Sequence, residues 1–170
     1  MKILERTKLG SGKAASVVAL TVALLFSLAG PVAAGDQVPF KGSLAGTVTV
    51  TPLNPPIALV VIEATGDATH LGRFTLVVPH VVNQALLVGA GTYEFTAANG
   101  DTVTADFTGT ATLLAPAVLS TAESGVITGG TGRFAGATGT FTAERTFVRA
   151  TGVTTGSFEG TISSPGAARN

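Results

Sequence analysis

The chain has 170 residues, with ten Lys or Arg against ten Asp or Glu, and no Cys. This length suits one domain of ordinary size. The lack of Cys excludes disulfides, thiol chemistry and a lipid-modified N-terminal cysteine, and the sparse, balanced charge without a basic stripe argues against a nucleic-acid partner.

Residues 1–34 have the organisation of a cleavable secretory signal. A basic region around Arg6 precedes an uncharged apolar stretch at 16–28, which is shorter than the roughly 20 residues of a membrane span. Small residues then end at Ala34, so we expect cleavage before Gly35; an uncleaved anchor helix is the alternative. The predicted destination is extracytoplasmic in a bacterium, namely the periplasm, the medium or the cell surface, with no membrane span left after cleavage.

From Phe40 onward the apolar residues alternate with period two, and no stretch has a convincing helical period. Thr alternates with Val, Phe and Ile, which is typical of half-buried strands. Eight strands are predicted, at 40–50, 57–65, 69–78, 92–97, 102–113, 117–127, 140–148 and 153–162. The segment 164–170 has the composition of a disordered tail.

Turn-forming residues separate these strands and favour antiparallel pairing. The prolines of 52–56 remove donors from the hydrogen-bond ladder. Gly66-Asp67 is expected to turn the chain into the third strand, and Pro79-His80 to begin the connection to the fourth. Asn99-Gly100 gives the strongest hairpin signal, because these residues adopt positive φ angles at low cost.

Most strands carry polar and apolar residues on opposite faces. In the fifth strand, for example, Thr104 lies on one face and Phe107 on the other, whereas the second strand is apolar on both. This alternation indicates a closed barrel or a two-sheet sandwich. We favour an all-β, antiparallel barrel of about eight strands over 35–163, preceded by the signal helix, because interior glycines such as Gly156 permit the coiling that closure requires.

An outer-membrane barrel is an alternative for eight strands behind a signal peptide. Such a barrel presents apolar residues outward and needs aromatic girdles at both membrane interfaces. The sequence has one Tyr and no Trp, so this alternative is disfavoured.

The glycine-rich segment 129–139, GGTGRFAGATG, resembles the "GGTGxFxGAxG" turn of the allene oxide cyclase and dirigent barrel superfamily. The segments 69–73 and 156–161 resemble those of uncharacterised bacterial relatives of these barrels. The resemblance implies an eight-stranded antiparallel barrel whose cavity guides reactive small molecules. No functional residue is carried over from the family, and the cavity cysteine of the cyclases has no counterpart in this chain.

The residues of this segment support the same interpretation independently of the family. Its glycines permit a tight turn, and Phe134 is expected to anchor one end of the barrel. A phosphate-binding loop is the alternative, but such a loop should open a helix. Nothing after Gly139 has a helical pattern.

Three residues are candidates for a ligand site. Glu63 and Arg145 are both placed on apolar faces, where an unpaired charge is costly. They are expected either to pair or to point separately into a cavity; the alternative is that each lies near solvent at a strand end. Tyr93 is expected either to orient a ligand through its hydroxyl or to belong to the core.

No catalytic residue, metal site or cofactor is predicted. His70 and Asp67 are only two potential ligands, whereas a metal site usually has at least three convergent ones. We expect His70 to be a hydrogen-bonded strand residue. No nucleophile-elbow spacing is present.

The leading functional hypothesis is non-catalytic binding of a small apolar or amphipathic molecule, or a surface or structural role. The alternative is a lyase or isomerase of the allene oxide cyclase type that uses polar residues in the lumen. In a third, purely structural version the lumen is packed solid and the Thr-rich exterior serves association. Oligomeric state is left open.

Overall fold

The computed structural model describes residues 36–163 and 165–166. The predicted signal segment, 1–34, lies outside the described residues, as does most of the predicted tail at 164–170. Within the described part, no helix is long and apolar enough to cross a membrane.

Eight strands form one closed antiparallel sheet. Each strand pairs with the next along the chain, and the first pairs with the last. The strands are β1 (Gln37–Pro52), β2 (Ile57–Ala68), β3 (Gly72–Asn83), β4 (Val88–Ala97), β5 (Thr102–Ala115), β6 (Val118–Gly130), β7 (Gly139–Val148) and β8 (Val153–Ser163). A single 3-10 turn, Gly132–Phe134, lies between β6 and β7. The predicted eight-stranded antiparallel barrel is confirmed.

The turn between β2 and β3 lies later than predicted. Gly66 and Asp67 remain in strand β2 and pair with β3. The chain reverses at 69–71 instead, where His70 has a φ of 63°. His70 is therefore an exposed turn residue, and its assignment to a strand is wrong. A His side chain tolerates the left-handed region better than most residues do.

Pro79 does not end the third strand, contrary to the prediction. It pairs with Val61 of β2, and strand β3 continues to Asn83. The pairing of β3 with β4 resumes at His80, opposite Gly91. A proline removes one donor from a ladder without preventing the chain from staying extended. Consequently His80 belongs to the barrel wall and not to a loop.

One half of the lumen is filled by aromatic rings. We call these rings the phenylalanine cluster: Phe40, Phe74, Phe95, Phe141 and Phe158. Their side chains are at most 3 % exposed, and neighbouring ring centroids lie 5.0 to 6.1 Å apart, mostly edge to face. Aromatic pairs at these separations contribute about 0.5–1.5 kcal/mol each beyond the burial of their area. This half of the barrel is a packed core.

The glycine-rich link between β6 and β7 covers the packed end. Phe134 is 1 % exposed and belongs to the core, as predicted for the anchor. Gly132 has a φ of 58°, which a residue with a Cβ rarely adopts. The backbone N–H of Arg133 donates to Asp101 Oδ2 at 3.2 Å, so the link is tied to the β4–β5 turn.

Candidate functional site: the open half of the barrel

The other half of the lumen is a cavity of about 390 Å³. It lies at the end where the β1–β2, β3–β4, β5–β6 and β7–β8 connections meet, since its wall comes from the last residues of β1, β3, β5 and β7 and the first of β2, β4 and β6. Much of that wall is apolar, including Val48, Val60, Ile62, Leu87, Phe107 and Leu119. The volume falls within the range of small-molecule pockets, roughly 300–1,000 Å³.

A buried ion pair lies at the inner end of the cavity. Arg145 on β7 donates from Nη2 to Glu123 Oε1 and, at 3.3 Å, from Nε to Glu123 Oε2. Both side chains are 4 % exposed. The two parallel hydrogen bonds make this a bidentate pair, the strongest geometry for a guanidinium and a carboxylate.

Tyr93 contacts this ion pair from the side of the phenylalanine cluster. Its hydroxyl donates to Glu123 Oε2, and its ring is fully buried, stacked on Phe95 at 5.5 Å and edge to face with Phe107 at 5.0 Å. Tyr93 therefore separates the phenylalanine cluster from the cavity. It is not among the residues that line the cavity, so its effect on a ligand would pass through Glu123.

The rest of the Arg145 guanidinium is held by β8. Its Nη1 donates to the Thr154 hydroxyl at 3.4 Å, and that hydroxyl in turn donates to the Thr146 carbonyl at 3.0 Å. Gly156 lies directly opposite Arg145, and a Cβ there would lie 2.6 Å from Arg145 Cγ. A glycine at this position leaves room for the arginine stem to cross the neighbouring strand.

Burial and mutual charge fix the protonation of these groups. Burial raises the pKa of the Tyr93 phenol well above its ordinary value of 10.0, and the negative charge of Glu123 raises it further. Burial is the largest single influence and would lower the pKa of Arg145, but the charge and hydrogen bonds of Glu123 together with the influence of Tyr93 outweigh it, and the net shift is upward. Tyr93 is thus a neutral donor, and Arg145 remains charged and compensated by Glu123.

His80 is a third buried titratable side chain that lines the cavity, besides Glu123 and Arg145. It is 8 % exposed, and its ring lies edge to face with Phe107 at 5.5 Å. Its Nδ1 lies 3.0 Å from the Val78 carbonyl, which can only accept, so Nδ1 carries the proton. Burial lowers the pKa of His80 below 6.5, and the hydrogen bond to Val78 and the charge of Glu123 only partly oppose this. The ring is neutral at neutral pH.

The structure brings two of the three predicted site residues to the lumen and excludes the third. Arg145 faces the lumen as predicted, and Tyr93 is buried beside it. Glu63 instead points outward and is exposed, so its placement on the lumen face and its pairing with Arg145 are wrong. Strand β2 is apolar on both faces, and the inward row is the one that contains Val60 and Ile62.

Glu123 and His80 are the site residues that the sequence reasoning missed. The alternation in β6 does not reveal Glu123, because Leu119 and Ile127 on its face are matched by Val118 and Val126 on the other, and only burial in the barrel distinguishes the two faces. Pro79 predicts the end of a strand, so the sequence places His80 in a connection and not in the barrel wall. A ligand-binding role for Arg145 or Tyr93 stays a prediction.

Over residues 36–163 and 165–166, no three His, Asp or Glu side chains are grouped as metal ligands.

Comparison with known proteins supports the fold alone. No family model matches the sequence, and no curated protein matches it. Among solved structures the chain is similar to a pterocarpan synthase dirigent protein, with a TM-score of 0.51 and 12 % sequence identity over 75 % of this chain and 84 % of that one. The barrel is therefore dirigent-like in fold.

Proposed function

We propose that the protein is exported and binds a small, mainly apolar molecule in the open half of its barrel without transforming it. The observation that carries the proposal is the division of the lumen, of which one half is a packed core and the other a cavity of about 390 Å³. A barrel with a purely structural role would be more stable if both halves of its lumen were filled, because each apolar side chain buried there adds to stability. The signal-like segment 1–34 supports export.

The chemistry of the wall supports binding over catalysis. Both oxygens of Glu123 already accept hydrogen bonds, and every nitrogen of Arg145 already donates one. A general base or acid needs an atom within reach of its substrate's proton. An ion pair whose charges compensate each other instead fixes the shape and polarity of the inner wall.

A lyase or isomerase is the second candidate, and one observation favours it. His80 is a neutral imidazole at the cavity wall, which is the protonation state of a general base. The dirigent protein of similar fold is a synthase. In such an enzyme His80 would move the proton, and Arg145 with Glu123 would position the substrate.

The test is native mass spectrometry of the protein purified without denaturant, with a matched pair of variants. Val60→Phe fills the cavity from inside, whereas Leu59→Phe adds the same ring to the exterior of the same strand. We expect an added mass on the wild type and on Leu59→Phe, and its loss from Val60→Phe. A bare chain in all three, together with no binding of an apolar dye such as Nile red, would refute the proposal.

A further inference from the structure

We infer that the ligand is electrically neutral and carries a hydrogen-bond donor, most simply a hydroxyl group, which Nε2 of His80 accepts. This inference rests on the proposed function and adds to it the chemical class of the ligand. His80 thereby becomes the residue that determines specificity in an otherwise apolar cavity.

The first step is the charge of the buried wall. Arg145 and Glu123 form a bidentate ion pair, to which Tyr93 and Thr154 add one hydrogen bond each. The pair therefore presents no unbalanced charge to a ligand. A charged ligand would lose its hydration on entry without gaining a partner of opposite charge, and that loss is costly.

The second step is the hydrogen-bonding capacity of His80. The Val78 carbonyl fixes the proton on Nδ1, so Nε2 holds a lone pair and can only accept. In the described part of the chain Nε2 makes no hydrogen bond to protein, although the ring is 8 % exposed and lines the cavity. Nε2 opens onto the cavity, so a ligand that covers it without donating would leave the acceptor unsatisfied, whereas a donor on the ligand satisfies it.

The third step concerns Arg149, the other cation near the cavity. It lies at the rim beyond the end of β7 and is exposed. Water and salt screen a charge in that position. A carboxylate held there would leave Nε2 of His80 without a donor, so an anionic ligand fits the wall less well than a neutral alcohol.

The experiment compares three ligands that share one apolar cage. 1-Adamantanol has a hydroxyl, 1-methoxyadamantane keeps the oxygen but lacks the donor, and adamantane-1-carboxylate is an anion. Each is titrated into the purified protein at neutral pH by isothermal calorimetry. We expect the alcohol to bind about tenfold more tightly than the ether, because sites built around a ligand hydroxyl reject analogues that lack it, and we expect the carboxylate to bind more weakly than either.

Variants of His80 link the preference to that residue. His80→Met should remove the difference between alcohol and ether while leaving the affinity for the ether within about twofold, and His80→Gln should restore part of the difference, because its amide oxygen accepts. His70→Asn is the control, since His70 lies in an exposed turn, and it should retain the full difference. The comparison of ligands on the wild type needs no variant to fold.

The outcomes separate this inference from the proposed function. Equal binding of alcohol and ether by the wild type, or tightest binding of the carboxylate, would overturn the inference and leave the binding function standing. A preference for the alcohol that survives in His80→Met would also overturn it. No binding of any of the three, with no Nile red binding, would overturn both.

Discussion

Replacing Glu123 by Leu is expected to destabilise the barrel strongly. The substitution removes both acceptor oxygens of the ion pair, so Arg145 loses two of its hydrogen bonds and Tyr93 loses its one. Arg145 is 5 % exposed, and its neighbours on the apolar wall cannot replace the lost charge. The guanidinium is left buried and uncompensated.

The size of the expected loss of stability follows from a general property of buried ion pairs: removing one partner costs far more than removing both. Breaking such a pair by removing one partner costs about 3–5 kcal/mol, which is a large part of the roughly 5–15 kcal/mol that holds a domain folded. Replacing both partners by apolar residues of similar volume is often close to neutral. Glu123→Leu combined with Arg145→Met should therefore recover most of the loss, leaving mainly the cost of the unpaired Tyr93 hydroxyl, about 1–3 kcal/mol, and the pair should show strong coupling in a double-mutant cycle.

Urea unfolding followed by far-ultraviolet circular dichroism measures these free energies. Glu63→Leu is the matched control, because Glu63 is an exposed glutamate on the exterior, and it should change stability by less than about 0.5 kcal/mol. A cost below about 1 kcal/mol for Glu123→Leu would refute the reasoning. It would mean that water reaches the Arg145 guanidinium and that the inner end of the cavity is not dry.

Four further predictions follow from the same geometry. Gly156→Ala should cost about 1–3 kcal/mol in urea unfolding, because the new Cβ would press on the Glu144 carbonyl oxygen and on Arg145; an unchanged midpoint would contradict the close approach. Phe95→Ala should cost about 3–5 kcal/mol, since its ring is fully buried within the phenylalanine cluster, and a loss below about 1 kcal/mol would show that the cluster is loosely packed. As the pH falls below 6.5 towards the lowered pKa of His80, the unfolded chain binds a proton there that the folded chain does not, so stability should decrease; His80→Gln should lose that part of the decrease, and identical pH profiles would refute it. Tyr93 is the only tyrosine and its pKa is raised, so the ultraviolet absorbance of tyrosinate should appear only when alkali unfolds the protein, and ionisation with the circular dichroism intact would contradict the buried hydrogen bond.

The sequence correctly predicts which face of a strand points into the lumen where the other face is polar. In β7 the row with Phe141 and Arg145 alternates with threonines, and both residues are buried. In β2 no such contrast exists, because Leu59 and Val61 on one face are as apolar as Val60 and Ile62 on the other. Only closure of the barrel decides which row faces inward, and closure depends on partners distant in sequence.

The candidate site was harder to predict than the fold for a related reason. A charge in an apolar row needs a partner, which points to Arg145, but the identity of that partner depends on how far side chains reach along the paired strands. Glu123 lies on the neighbouring strand, opposite Ala143 and not opposite Arg145. Its side chain reaches Arg145 diagonally, a contact that strand order alone does not specify.

The phenylalanine cluster has a consequence for how this barrel can change over evolution. The rings that hold the strands together lie in one half of the lumen, and the residues that line the cavity lie mostly in the other. Substitutions at cavity positions such as Val48, Leu87 or Leu119 therefore alter the shape offered to a ligand while the aromatic packing stays intact. Tolerance of mutation in a binding site depends on stability supplied elsewhere, and in this chain it is supplied at the opposite end of the same eight strands.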